Sequence, residues 1–144
     1  MEADGLFVYG TLRRGGSNRP WLDRTHPEGS CRAWVPGRLW HLPDDGYPAM
    51  VLGPEPATPP PGEGWVTGDF VGWEDLADLE AALPDLDALE DVAGGLYLRR
   101  LVDCVLESGH RLTAWVYVFP EDRMGALERH GVEMRDGDWE AFLG

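Results

Sequence analysis

Two carboxylates, Asp87 and Glu90, stand three residues apart in the segment Leu86-Asp87-Ala88-Leu89-Glu90. In a helix this spacing puts both on one side, where they could face a shared cavity and exchange protons with a substrate. A solvated helix face has the same pattern, and acidic residues on a short helix usually serve that purpose. A glutamate at its ordinary pKa of about 4.3 is a weak base near neutrality, so a catalytic reading requires partial burial of Glu90 to raise it.

A second constellation is Phe7-Val8-Tyr9-Gly10-Thr11-Leu12-Arg13-Arg14-Gly15-Gly16-Ser17, a short apolar strand running into a glycine-bearing loop. Backbone N–H groups at such a turn can converge on an anion. Gly10, Gly15 and Ser17 match the spacing of the phosphate loop GxxxxGK[ST], but Gly16 stands where its lysine belongs and Pro20 interrupts the helix that should follow. A purely structural turn explains the same glycines.

Other chemistries are bounded by what the chain does not carry. It has no GxSxG elbow and no Cys/His pairing of a nucleophilic enzyme. Cys31 and Cys104 are far apart with no CxxC spacing, and both read as small, buried apolar residues. His26, His41, His110 and His130 show no metal-ligand spacing, so neither a metal nor another cofactor is implied. All 12 basic residues are Arg, which excludes lysine Schiff-base chemistry. Acidic residues number 26, and the formal charge of -14 opposes binding to nucleic acid or to anionic membrane surfaces.

The elements that must position these residues follow from periodicity. Residues 6–9, 31–42, 47–52 and 65–73 read as strands, with Pro36-Gly37 marking a bend where two strands meet within 31–42. Residues 53–64 hold five prolines and three glycines and form a surface loop. Residues 73–83 have helical spacing that Pro84 ends, and Pro84 suits the first turn of a second short helix. That helix would turn Leu86, Leu89 and Val92 inward and stop at Gly94-Gly95. Residues 97–107 and 111–119 form a hairpin about Ser108-Gly109-His110, and 121–130 form a helix ended by Gly131. Strands dominate and helices do not alternate with them, so the expected class is α+β, a small mixed β-barrel with a few peripheral helices.

At 144 residues, 43% of them apolar, the chain is expected to form a single domain over residues 1–144. No apolar run approaches a membrane span, and the acidic start Met1-Glu2-Ala3-Asp4-Gly5 lacks the order of a secretory leader, so a cytoplasmic location is expected. Oligomeric state leaves no mark in the sequence.

Along nearly its whole length the sequence resembles the gamma-glutamyl cyclotransferase-like family, of the gamma-glutamylamine cyclotransferase type. The family's opening strand and Tyr-Gly-Thr-Leu-basic motif are matched by Phe7-Val8-Tyr9-Gly10-Thr11-Leu12-Arg13. Its Gly-x-Leu and Tyr-Pro-Ala patterns are matched by Gly37-Arg38-Leu39 and Tyr47-Pro48-Ala49. Its Leu-Asp-x-x-Glu helix and Tyr-x-Arg strand are matched by Leu86 to Glu90 and Tyr97-Leu98-Arg99, and Gly137-Asp138-Trp139 resembles a terminal family motif.

The resemblance implies Glu90 as catalytic acid/base, Tyr9, Gly10, Thr11 and Leu12 as the substrate-cradling loop, and Tyr97 as a residue bordering the site. It implies a small-molecule γ-glutamyl amide as substrate, whose own α-amine attacks the γ-carbonyl to give 5-oxoproline and a free amine. Tyr9, Tyr97 and nearby tryptophans would supply the apolar wall that raises the Glu90 pKa. The pocket for the leaving amine would be built by variable loops such as 53–64, and the net charge hints at cationic amines. A γ-glutamyl-binding or 5-oxoproline-binding module without turnover, and an enzyme removing a γ-glutamyl group in a biosynthetic pathway, are the alternatives.

Overall fold

A computed structural model of the chain describes residues 3–43 and 46–143; Met1 and Glu2 of the acidic start lie outside them. Strand β1 (Gly5–Val8) leads into helix α1 (Arg19–Asp23), followed by β2 (Gly29–Leu42), β3 (Tyr47–Leu52) and β4 (Trp65–Gly72). Helix α2 (Leu76–Leu89), strands β5 (Leu98–Leu106) and β6 (Arg111–Val118), a 3-10 turn (Glu121–Arg123), α3 (Met124–His130), β7 (Val132–Glu133) and α4 (Trp139–Leu143) complete the chain.

The barrel is organised by β2, which is one strand of 14 residues rather than the two expected. Gly29 to Pro36 pair antiparallel with β4, and Gly37 to Leu42 pair antiparallel with β3. Pro36-Gly37 is thus the point at which a continuous strand changes partners. Gly37 is required there, because a Cβ would stand 2.5 Å from the Val51 carbonyl oxygen.

Closure follows from the pairing order β2-β4-β1-β6-β5, with β5 returning to β2 through Ala33 opposite Leu106 and Trp34 opposite Val105. Of these five contacts only β1–β6 is parallel, so the barrel is mixed, as the sequence leads one to expect. Side-chain alternation divides β1, β2, β3, β4 and β6 between two apolar clusters. Phe7, Ala33, Val35, Val66, Phe70, Cys104, Ala114 and Val116, drawn from all five strands, fill the barrel interior. Leu6, Val8, Val71 and Tyr117 face outward, against Leu22 of α1, Leu79, Leu83 and Leu86 of α2, and Leu127 of α3.

Pro84 does not divide α2. The helix runs through it because Leu79, Ala82, Leu83 and Leu86, on either side of the proline, bury in one core that holds both halves in line. Asp75 caps the N-terminus, accepting the Ala77 N–H at 3.0 Å. Leu89 was expected to point inward but is 41% exposed. Pro20 likewise opens rather than breaks a helix, sitting in the first turn of α1. Among the described residues no helix is long and apolar enough to cross a membrane.

Candidate active site

The chain leaves β1 at Val8 and turns immediately. Gly10 C=O accepts the Arg13 N–H at 3.1 Å, closing a β-turn with Thr11 and Leu12 at its centre. Asn18 holds the turn from the side, donating its backbone N–H to Thr11 C=O and its side-chain amide to Thr11 Oγ1, both at 2.9 Å. The Leu12 side chain is buried in the core. Among the described residues, the backbone N–H groups of Gly10, Thr11 and Leu12 have no acceptor. Gly10 and Thr11 are half-buried and Leu12 is buried, and all three border a cavity in which an anion could take these donors.

Glu90 is the C-cap of α2, its N–H bonded to Leu86 C=O at 3.0 Å. The chain reverses directly after it: Asp91 adopts φ 52°, and the Leu96 N–H returns to Asp91 C=O at 3.1 Å. This turn lets the end of α2 face the end of β1. The side chain of Glu90 lines a cavity of about 230 Å³ that Gly10, Thr11 and Leu12 also line. Burial pushes the Glu90 carboxyl from 4.5 up to about 7. No hydrogen-bond donor or cation among the described residues offsets that desolvation, so the carboxyl titrates near neutrality.

Tyrosines form much of the cavity wall. The Tyr9 hydroxyl donates to Tyr117 C=O at 2.5 Å, and the Tyr97 hydroxyl donates to Pro48 C=O at 2.7 Å. Burial, and then the charge of Glu90, raise the Tyr9 pKa well above its ordinary value. The Tyr117 phenol is also raised, by burial first and then by its 2.7 Å hydrogen bond to Asp87. Both phenols therefore stay protonated wherever Glu90 titrates. Phe7, Leu89 and Leu96 add apolar surface.

Of the residues that the sequence singled out, Tyr9, Gly10, Thr11, Leu12, Glu90 and Tyr97 line this one cavity. Asp87 does not; it accepts the Tyr117 hydroxyl and pairs with Arg99 at 3.0 Å. No tryptophan among the described residues lines the cavity; its apolar wall comes from Phe, Tyr, Leu, Val and Pro residues. The proline-rich loop lies elsewhere: Pro54, Glu55 and Pro56 line a separate cavity beside the β2 bend, and Arg111 ties Glu55 to β6 at 2.7 Å. Cys31 is exposed rather than buried, whereas Cys104 is buried as expected. Tyr117, Pro48 and Asn18 line the cavity without having been singled out for it. Pro48 stood within a recognised motif, and Tyr117 within an alternating strand whose pattern marks core and cavity residues alike.

A carboxyl that titrates near pH 7 can take and return a proton within a physiological range. Three N–H groups with no acceptor among the described residues, on residues that line the same cavity, can hold a carboxylate without a charged side chain. Among the described residues there is no cluster of His, Cys, Asp and Glu suited to a metal ion.

Residues 6–141 match the family described as Gamma-glutamyl cyclotransferase, AIG2-like. The chain is 30% identical over 141 residues to gamma-L-glutamyl-butirosin B gamma-glutamyl cyclotransferase of Niallia circulans, covering 95% of this chain and 76% of that protein. Its fold is similar to that of YkqA from Bacillus subtilis, with TM-score 0.64 and 21% identity. That match takes in 97% of this chain but only 40% of YkqA. A mouse AIG2-like protein is similar with TM-score 0.56 and 23% identity, over 86% of this chain and 84% of the mouse chain. At these identities the two structures speak to the fold alone.

Proposed function

Because the chain belongs to the Gamma-glutamyl cyclotransferase, AIG2-like family, we propose that it cleaves a γ-glutamyl amide by intramolecular attack of the substrate's α-amine, releasing 5-oxoproline and a free amine. The α-carboxylate of the substrate accepts hydrogen bonds from the N–H groups of Gly10, Thr11 and Leu12. The α-ammonium lies against Glu90, which removes its proton. The freed amine nitrogen bonds to the γ-carbonyl carbon, and the ring closes. The bond from that carbon to the leaving nitrogen then breaks as Glu90 returns the proton to the departing amine. The ring nitrogen still carries one proton too many; Glu90 takes it and passes it to the departing amine, which leaves as its ammonium, so that 5-oxoproline is neutral at nitrogen and Glu90 is again ionised. Protons then balance, and the enzyme needs no nucleophile or cofactor of its own.

The observation that carries this reading is a carboxyl with a pKa of about 7 in the same small cavity as three residues whose backbone N–H groups have no acceptor among the described residues. A substrate ammonium has a reference pKa of about 7.7 to 8.0, so transfer to Glu90 is nearly balanced in energy. Ring closure is already unimolecular, so holding the substrate folded contributes by freezing its internal rotations and aligning the amine with the γ-carbonyl. Tyr97 and Tyr9 supply the wall that keeps bulk water from Glu90, and residues 1–144 act as a single domain.

The test is product analysis after incubating the protein with γ-glutamyl-amines and γ-glutamyl dipeptides. Release of 5-oxoproline supports the reading, and release of glutamate points to hydrolysis. Binding of 5-oxoproline with no product over hours points to a module without turnover. The name of the Niallia circulans relative favours a second reading, in which the leaving amine belongs to a larger compound carrying a γ-glutamyl group. A γ-glutamylated compound of that kind, turned over faster than the simple amides in the same assay, would select it.

A further inference from the structure

Arg13 follows the cradle directly, yet it does not line the cavity. Its side chain is only 3% exposed and lies among three carboxylates: Asp138 at 3.0 Å, Glu140 at 3.3 Å and Asp69 at 3.7 Å. Its backbone belongs to the cradle, because the Arg13 N–H closes the turn on Gly10 C=O and its own C=O accepts the Gly16 N–H at 2.7 Å. A displacement of Arg13 therefore moves the N–H groups between it and Gly10. Asp69 strengthens the hold by accepting the Arg14 N–H at 2.8 Å.

Asp138 is itself fixed on both sides. Gly137, at φ 71°, lies so close to β4 that a Cβ would stand 1.9 Å from Trp65 C=O, and its own C=O accepts the Thr67 N–H at 2.8 Å. Trp139 donates to His41 Nδ1 on β2 at 3.1 Å. The Gly-Asp-Trp segment thus grips β4, Arg13 and β2 in turn.

We propose that Asp138, acting through Arg13, is a positioning residue that sets the Gly10 to Leu12 cradle in its substrate-binding form. The proposal rests on the reading of that cradle as the γ-glutamyl site. Asp138→Asn keeps the shape and removes the charge. Because the cradle holds the substrate equally in ground and transition states, KM should rise about tenfold while kcat stays within about twofold. The pH midpoint of turnover, which belongs to Glu90, should not move. Backbone order parameters at Gly10, Thr11 and Leu12 should fall from about 0.85 towards 0.6. Arg13→Lys, which keeps the charge but loses the planar fork, should act in the same direction. Trp139→Phe loosens the same segment without touching Arg13, and it should raise KM and loosen the loop by much less than Asp138→Asn does.

Wild-type KM and loop order in Asp138→Asn would overturn the proposal. So would a KM increase in Trp139→Phe equal to that of Asp138→Asn, since general loosening would then explain both. If the wild-type protein turns over no γ-glutamyl compound, the functional reading fails, and loop order alone decides the anchor: loosening in Asp138→Asn upholds it and an unchanged loop refutes it.

Discussion

Asp87 and Glu90, three residues apart at the end of α2, have opposite environments: Asp87 is held by Arg99 at 3.0 Å and by the Tyr117 hydroxyl at 2.7 Å, whereas Glu90 lines the cavity with no donor among the described residues. The Arg99 guanidinium is further held 4.4 Å over the Trp115 ring. Two carboxyls on one helix end thereby have different partners: Asp87 is ion-paired and hydrogen-bonded, and Glu90, its pKa raised to about 7 by burial, lines the cavity.

The pH dependence of kcat/KM follows from that division. Glu90 must be ionised to accept a proton, and burial sets its pKa at about 7. Turnover at low substrate should therefore rise with pH through a midpoint of about 7 with the slope of a single group. A midpoint near the ordinary 4.5 would mean that Glu90 is solvated or that another group is the base.

Stability should run the other way. A carboxyl whose pKa is raised in the folded state binds more protons folded than unfolded, so its favourable contribution is full below the unfolded value of 4.5 and is lost as pH rises through about 7. Replacing Glu90 by Gln removes this penalty, and the variant should be more stable than the wild type at pH 8 by about 3 kcal/mol. Denaturant titrations of both proteins at pH 4 and pH 8 check the prediction: the gap should appear only at the higher pH.

Asp87→Asn should cost less than loss of Glu90, reducing kcat/KM by less than about tenfold, because Asp87 acts through Tyr117 and Arg99 rather than on substrate. The uncompensated Arg99 charge would favour ionised Glu90, moving the pH midpoint downward. Equal losses at the two positions in one assay would instead indicate a paired-carboxylate mechanism.

Gly10 is fixed by packing rather than by a left-handed backbone. A Cβ at this position would stand 2.9 Å from Pro48 Cγ and 3.2 Å from Pro48 Cδ, and a proline ring yields little. Gly10→Ala should shift the cradle and raise KM about tenfold or more, equivalent to strain of about 1–3 kcal/mol. Steady-state kinetics and a thermal melt separate this from unfolding: KM should change more than kcat in a protein that remains folded.

Most strands were legible because their alternation is local, and the hairpin about Ser108-Gly109-His110 appears where its turn residues stand. What the sequence left open depended on distant partners. Whether Pro36-Gly37 separates two strands or bends one is decided by β3 and β4 lying side by side along β2. Pro84 reads as a stop until the core that holds both ends of α2 is known. Cys31 alternates in phase with Ala33 and Val35, yet it lies beyond the short β2–β5 seam at Ala33 and Trp34, where the barrel opens to solvent. In the site, motif spacing named Glu90 and the Tyr9 to Leu12 loop, but the burial that raises the Glu90 pKa arises only when α2 ends against β1. Tyr117 entered through the Arg99 register of β5 and β6, a pairing that no local pattern announces.

The most direct measurement compares 5-oxoproline release by the wild type and by Glu90→Gln on the same γ-glutamyl amide, with substrate or product binding followed by calorimetry. The account predicts that the variant binds with near wild-type affinity while its turnover falls by about 10²- to 10⁴-fold, the usual contribution of a positioned acid/base group. Release of 5-oxoproline by Glu90→Gln at close to the wild-type rate would contradict it.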